Sequence, residues 1–199
     1  MTNRMSRPTS APSVPTIVIV GGTAGTGKST IGAALAELMG TPFIEGDELH
    51  PPTNIQKMAS GIPLDDQDRW GWLKKLAEHA SRTARERQGP VVVTCSSLKK
   101  KYRDFLRELC GGVRLYFLML HASQEAVLER VARRKNHYMG PEMVASQFRD
   151  LELPGADEPG CAVIRSAEGS PGDTLGTALR KFQDLANLST AADFACDQQ

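Results

Sequence analysis

Gly22-Thr23-Ala24-Gly25-Thr26-Gly27-Lys28-Ser29 fits the pattern G-x-x-x-x-G-K-[ST]. Each fixed position answers a physical need. Glycines let successive backbone N–H groups turn inward toward phosphate oxygens; the lysine reaches the β- and γ-phosphates; the Ser29 hydroxyl suits a magnesium ion. Context decides whether so short a pattern is more than a Gly-rich turn. The apolar, β-branched run Thr16-Ile17-Val18-Ile19-Val20 precedes it and reads as a buried strand. Ile31, Leu35, Leu38 and Met39 follow, spaced as one face of a helix. Strand, loop and helix come in the order a phosphate-binding P-loop requires, and the helix start, including Thr30, adds its dipole to the anion site.

The remaining chain alternates strands with helices. Thr41 to Ile44, Val91 to Val93, Leu115 to Leu120 and Ala162 to Ile164 read as strands two to five. Helices are expected around Ile55 to Ala59, over Asp66 to Arg87, Leu98 to Leu109 and Ser123 to Arg134, from Gly140-Pro141 toward Leu151, and along Leu175 to Leu185. This pattern predicts an α/β fold: a five-stranded parallel sheet flanked by helices, with ligands at the carboxyl ends of the strands. One domain is expected over residues 16–188, with a disordered extension at 1–15 and a tail at 189–199. The extension shares an acid-free, Arg/Ser/Thr composition with organellar presequences, but its three prolines oppose an amphipathic helix.

The 199 residues suffice for one sizeable core, and a net charge near +1 gives no electrostatic case for nucleic acid or a membrane surface. No apolar run is long enough to span a bilayer. Cys95, Cys110, Cys161 and Cys196 form no C-x-x-C pair, so they read as reduced thiols in a cytoplasmic setting.

Many P-loop proteins carry an acid directly after a strand. Strand three ends in Thr94-Cys95-Ser96-Ser97 without one, whereas strand two is followed by Glu45 and Asp47, which an extended chain would place on one face. A carboxylate there suits a small-molecule kinase, where it meets the acceptor hydroxyl beside the γ-phosphate.

The surrounding segments carry a resemblance. Gly46-Asp47-Glu48-Leu49-His50-Pro51, Asn54, Lys57-Met58, Gly61-Ile62-Pro63-Leu64 and Asp66-Gln67-Asp68-Arg69 with Trp72-Leu73 resemble the gluconokinases. So do Cys95-Ser96-Ser97-Leu98-Lys99, Tyr102-Arg103-Asp104, His137-Tyr138-Met139 and Ser146-Gln147-Phe148 with Leu151-Glu152. The similarity runs from about Ile17 to Ile164. It implies a P-loop NTPase of nucleoside-monophosphate-kinase-like fold with a small lid. It also implies ATP- and Mg²⁺-dependent phosphorylation of D-gluconate to 6-phospho-D-gluconate, feeding the pentose phosphate route, and a homodimer. The chain departs from the family pattern at Glu45 (commonly Asp), Gly71 (Pro), Ser97 (Ala), His121-Ala122 (a Gly-containing turn) and Asn136 (Gly).

On this reading Gly22 to Thr30 hold ATP, and Ser29 and Asp47 hold the metal. Asp47 is expected to take the acceptor proton or hold a metal-bound water; Lys28, Arg69 and Arg103 complete the catalytic set. A polyol carboxylate needs cations and hydrogen-bonding groups, so Arg69 and Arg103, then Lys99 and His50, are candidates for it. Local pairing with Asp68 and Asp104 is the alternative for the two arginines, and a structural role is the alternative for His50. Arg130 is expected near the adenine and Arg134 near the phosphates, or both on a solvated basic face; His137 belongs to the lid. A kinase for another small hydroxy acid, shikimate-like or aldonate, and a non-catalytic ATP-binding switch are the competing functions.

Overall fold

A computed structural model describes residues 14–133, 141–166 and 169–196, with no side-chain placement for 141 and 190–196. Five strands form one parallel sheet: β1 Thr16–Gly22, β2 Phe43–Ile44, β3 Pro90–Thr94, β4 Arg114–His121 and β5 Cys161–Arg165. Their spatial order is β2-β3-β1-β4-β5. β1 is central, with Ile17 to Val20 opposite Val91 to Thr94 on one side and Leu115 to Leu118 on the other. Every residue of β1 is buried, as its unbroken apolar run requires of a strand covered on both faces.

Seven helices accompany the sheet among the described residues: α1 Lys28–Met39, α2 Pro52–Ala59, α3 Asp66–Arg87, α4 Lys100–Leu109, α5 Gln124–Ala132, α6 Pro141–Asp150 and α7 Pro171–Cys196. One apolar layer joins Ile17 and Ile19 to Trp72, Leu73 and Leu76 of α3 and Tyr102 and Leu106 of α4. The opposite layer joins Val18 and Val20 to Ile31 and Leu35 of α1 and Ala178 of α7. Alternate residues of one strand thus feed two cores. Cys95 and Cys110 are buried thiols, as expected of small apolar groups.

The expected elements are all present, with strand ends extended by one or two residues, except β2, which shortens to Phe43–Ile44. α3 begins at a capping box in which Asp65 and Asp68 each accept the other's backbone N–H. α5 starts where Ser123 accepts from the Ala126 N–H. Two boundaries differ from the sequence reading. Pro15 accepts a hydrogen bond from the Arg114 N–H, so the pairing of the central strand with β4 reaches back past residue 16. α7 continues to Cys196, so the helix runs on past 188 into the segment expected as a disordered tail. Residues 1–13, Arg134, His137 and the rest of the lid segment lie outside the described residues. No helix among the described residues is long and apolar enough to cross a membrane.

The largest difference lies after β2. Gly46–Leu49 forms a 3-10 turn, not extended chain. Gly46 donates its N–H to Thr94 Oγ1 at 2.9 Å, and its carbonyl accepts the Trp72 indole N–H at 2.8 Å. A side chain at Gly46 would collide with the Thr94 carbonyl. Gly46→Ala is therefore expected to destabilise the fold by about 1–3 kcal/mol. Urea unfolding should show a lower midpoint at unchanged slope.

Candidate active site

α1 starts directly from the phosphate loop. Gly27, its N-cap, sits at φ 96° and provides no side-chain cap. The first N–H groups of the helix therefore remain donors for an incoming anion. Within the loop, Thr26 Oγ1 donates to the Thr23 carbonyl at 2.7 Å and Lys28 Nζ to the same oxygen at 3.0 Å. Ser29 and Thr30 are exposed. This arrangement fits a nucleotide phosphate chain.

A cleft opens in front of the loop. Its walls include Lys28, Ser29, Asp47, His50, Arg69 and Gln147. Behind Thr26 and Gly27 lies a second cavity of about 310 Å³, bordered by Thr30, Arg130, Ser166 and Thr174. That volume is in the range of small-ligand sites. Arg130 donates to the Ser166 carbonyl at 2.8 Å, so it is braced at that cavity rather than lost on a solvated face.

The 3-10 turn separates the two acids that extended chain would have aligned. Glu45 turns back and accepts the Thr94 hydroxyl hydrogen bond. Asp47 stands at the cleft, its side chain about half exposed. The longer arm of Glu45 thus ends on the sheet. Among the described residues no cluster of three or more His, Cys, Asp or Glu side chains forms a metal cage. The Ser29 hydroxyl and the Asp47 carboxylate border the same cleft, a sparse oxygen set that suits magnesium arriving with phosphates and keeping its waters.

His50 is buried and its ring stacks on Trp72, with centroids 4.1 Å apart. Asn54 fixes its protonation pattern. Asn54 Nδ2 lies 2.8 Å from the Asp68 carbonyl, which can only accept, and 3.2 Å from His50 Nδ1. The amide nitrogen therefore donates to both, Nδ1 carries the lone pair, and the proton sits on Nε2. Nε2 lies 4.0 Å from Asp47 Oδ1. Burial lowers the His50 pKa to about 4, against the pull of Asp47 and with help from Arg69. The ring is a neutral N–H donor at the cleft.

The arginines separate. Arg69 is 6% exposed and borders the cleft. One Nη2 hydrogen reaches the Leu64 carbonyl at 3.2 Å, while Nε has no partner among the described residues. A buried cation with spare donors is an anion-seeking group. Asp68 pairs with Lys57, not with Arg69. Arg103 lies apart from the cleft walls. Nε and Nη2 meet the two Glu158 oxygens, both at 2.7 Å, and Nη1 donates to the Ser97, Leu98 and Glu152 carbonyls. The substrate role expected of Arg103 is not supported: its fork is filled by an acid 55 positions downstream, and not by Asp104. Lys99 is also committed, to Asp66 and Asp150 at 3.0 Å each. Burial opposes its charge, yet these two carboxylates hold its pKa above the usual lysine range.

Sequence reasoning assigned no role to Thr94, Asn54, Glu158 or Gln147. Asn54 and Gln147 stood inside recognised segments; Thr94 and Glu158 carried no local signal.

Comparisons with known proteins agree with this geometry. A family model described as an AAA domain matches residues 18–150. The chain is 48% identical over 155 residues to a probable gluconokinase of Saccharomyces cerevisiae, covering 74% of this chain and 80% of the relative. It is 45% identical over 140 residues to the thermosensitive gluconokinase of Escherichia coli K12, covering 70% and 73%. The crystal structure of a gluconokinase from Sinorhizobium meliloti 1021 superposes with TM-score 0.78 at 40% identity, over 92% of this chain and 98% of that one.

Arg103→Met should expose the structural nature of its bonds. Arg107 Nη2 would still reach Glu158 Oε1 at 3.1 Å, so losing the bidentate partner is expected to cost about 1–3 kcal/mol rather than the full penalty of an unpaired buried charge, with nucleotide affinity of the folded protein unchanged by titration calorimetry. Hydrogen bonds from Arg103 first, and then from Arg107, lower the Glu158 pKa from 4.5 to about 2 against the opposing effect of burial. Their stabilisation is complete above pH 4.5 and is lost as pH falls toward 2, so acid unfolding monitored by circular dichroism should lose the Arg103 share of this component in the variant.

Proposed function

The chain belongs to the gluconokinase family, and from that premise we infer that it catalyses ATP-dependent phosphorylation of D-gluconate to 6-phospho-D-gluconate. The observation that carries the reading is Arg69: a buried guanidinium that borders the same cleft as the phosphate loop and Asp47, its Nε without a partner among the described residues. A neutral sugar would gain nothing from that charge, whereas a sugar acid supplies the matching carboxylate.

We propose the following roles. Gly22 to Thr30 bind the ATP phosphates through backbone donors, Lys28 neutralises charge on them, and Arg130 braces the base cavity. Arg69 receives the gluconate carboxylate. The Nε2–H of His50 donates to a hydroxyl and fixes the orientation of the chain of carbons. Asp47 accepts the proton of the 6-hydroxyl as it approaches the γ-phosphorus. Phosphoryl transfer asks mainly for alignment and charge neutralisation, which this set provides. Ser29 and Asp47 would hold Mg²⁺, which when bound adds positive charge at the phosphates. A homodimer and a cytoplasmic setting belong to the same proposal; the first rests on the family resemblance, the second on the absence of a C-x-x-C pair among the four cysteines.

Three measurements check it. ADP release with Mg²⁺-ATP should rise with D-gluconate and stay at background with shikimate and nucleoside monophosphates; the reverse pattern would remove the substrate assignment. Asp47→Asn should keep ATP affinity and lose about 10²- to 10⁴-fold in kcat. Arg69→Lys, which keeps the charge but loses the fork, should raise KM for D-gluconate about 10- to 100-fold with KM for ATP unchanged.

A further inference from the structure

α6 makes a hydrogen bond to the phosphate loop through one side chain. Gln147 Oε1 accepts the Ala24 N–H at 2.6 Å. Ala24 is the third residue of the loop, and Gln147 borders the cleft shared by Lys28, Ser29, Asp47 and Arg69. A backbone N–H can only donate, so the carboxamide orientation is fixed: oxygen on the loop, NH₂ at the other end. Among the described residues that NH₂ donates to none. Gln147 therefore turns one backbone donor of the loop into two side-chain donors on a residue that borders the cleft.

The contact is not needed to hold α6. Met143 packs with Ala24, Met58 and Leu64 in one apolar cluster, and Val144 with Ala122 and Val127 in another. Beyond the helix, Glu152 donates its N–H to the Leu98 carbonyl at 2.8 Å, and its carboxylate accepts the Lys100 N–H at 2.6 Å. Asp150 pairs with Lys99. A helix anchored by these contacts gains little from one more bond, whereas the phosphoryl group in transit spreads charge over oxygens that need donors.

We propose that Gln147 is a catalytic residue of the phosphoryl transfer, its Nε2 donating to an oxygen of the transferring γ-phosphoryl group while its Oε1 stays on Ala24. The assignment deepens the kinase reading and rests on it for the identity of the reaction.

The test compares Gln147→Ala with Gln147→Glu in the full chain. Both keep the apolar anchors of α6, and thermal midpoints near that of the unmodified protein would confirm folding. Glutamate preserves the acceptor for the Ala24 N–H but replaces the donor by a negative oxygen facing the phosphoryl group. A phosphoryl contact predicts a kcat loss of about 10²-fold or more in Q147A, and a still lower kcat in Q147E. A purely structural latch predicts the opposite order, since Q147E keeps the latch. Calorimetry with ADP and with the non-hydrolysable analogue AMP-PNP needs no acceptor, so it reads Gln147 even if D-gluconate proves inert. Q147E should retain ADP affinity and lose affinity for AMP-PNP. A kcat for Q147E at or above that of Q147A, or unchanged AMP-PNP affinity in Q147E, would overturn the assignment.

Discussion

The hydrogen bond from the Gly46 N–H to the Thr94 hydroxyl joins the sheet to the acceptor side of the cleft. It holds the end of β2 against the end of β3, and it bends the chain so that Asp47 leaves the sheet plane. The Gly46 carbonyl then takes the Trp72 indole N–H, and the Trp72 ring supports the His50 imidazole. Asn54 closes this chain by holding His50 Nδ1 and the Asp68 carbonyl together. Each contact fixes the next, so the position of a polar donor in the cleft depends on a backbone approach that only glycine allows.

Arg69 and Arg103 show how burial can serve two purposes. Both guanidinium groups are nearly out of contact with water. Arg103 has spent its donors on Glu158 and three carbonyls, which pins the segment before β5 to α4. Arg69 borders the cleft and leaves its buried Nε without a partner among the described residues. A buried charge without full compensation is costly, and the fold tolerates it where a ligand completes the set. The difference between the two is therefore one of satisfied bonds, not of depth.

Local chemistry explains what could be read from the chain. The β1 run, the P-loop and the periodic faces of α3 and α4 are short-range patterns, and α3 spans Asp66–Arg87 as its periodicity and the Gly89-Pro90 stop indicate. The parallel sheet follows from the alternation of elements. What stayed hidden depends on contacts between distant segments. Nothing near Arg103 announces Glu158, and the neighbouring Asp104 is a misleading partner because it sits on the outer side of α4, pairing with Lys100 and Arg107. The turn at Gly46 was missed for a related reason: alternation of Glu45 and Asp47 looks like extended chain until Thr94, 48 positions away, supplies the acceptor that bends it.

The two sides of the cleft must also stay in register. The phosphate loop is held by β1 and α1, in the layer with α7. The acceptor side hangs on Gly46, Trp72 and Arg69, in the layer with α3 and α4. These layers lie on opposite faces of the sheet, so the sheet alone would transmit their alignment. α6 adds a second route. Its Met143 belongs to one apolar cluster with Ala24 of the loop and Met58 and Leu64 of the acceptor side, and its C-terminal end is tied to Lys99 beside α4. Alignment of donor and acceptor to within a fraction of an ångström is worth more to phosphoryl transfer than any single charge. A helix that packs against both sides at once is therefore the element whose placement the reaction geometry most directly requires.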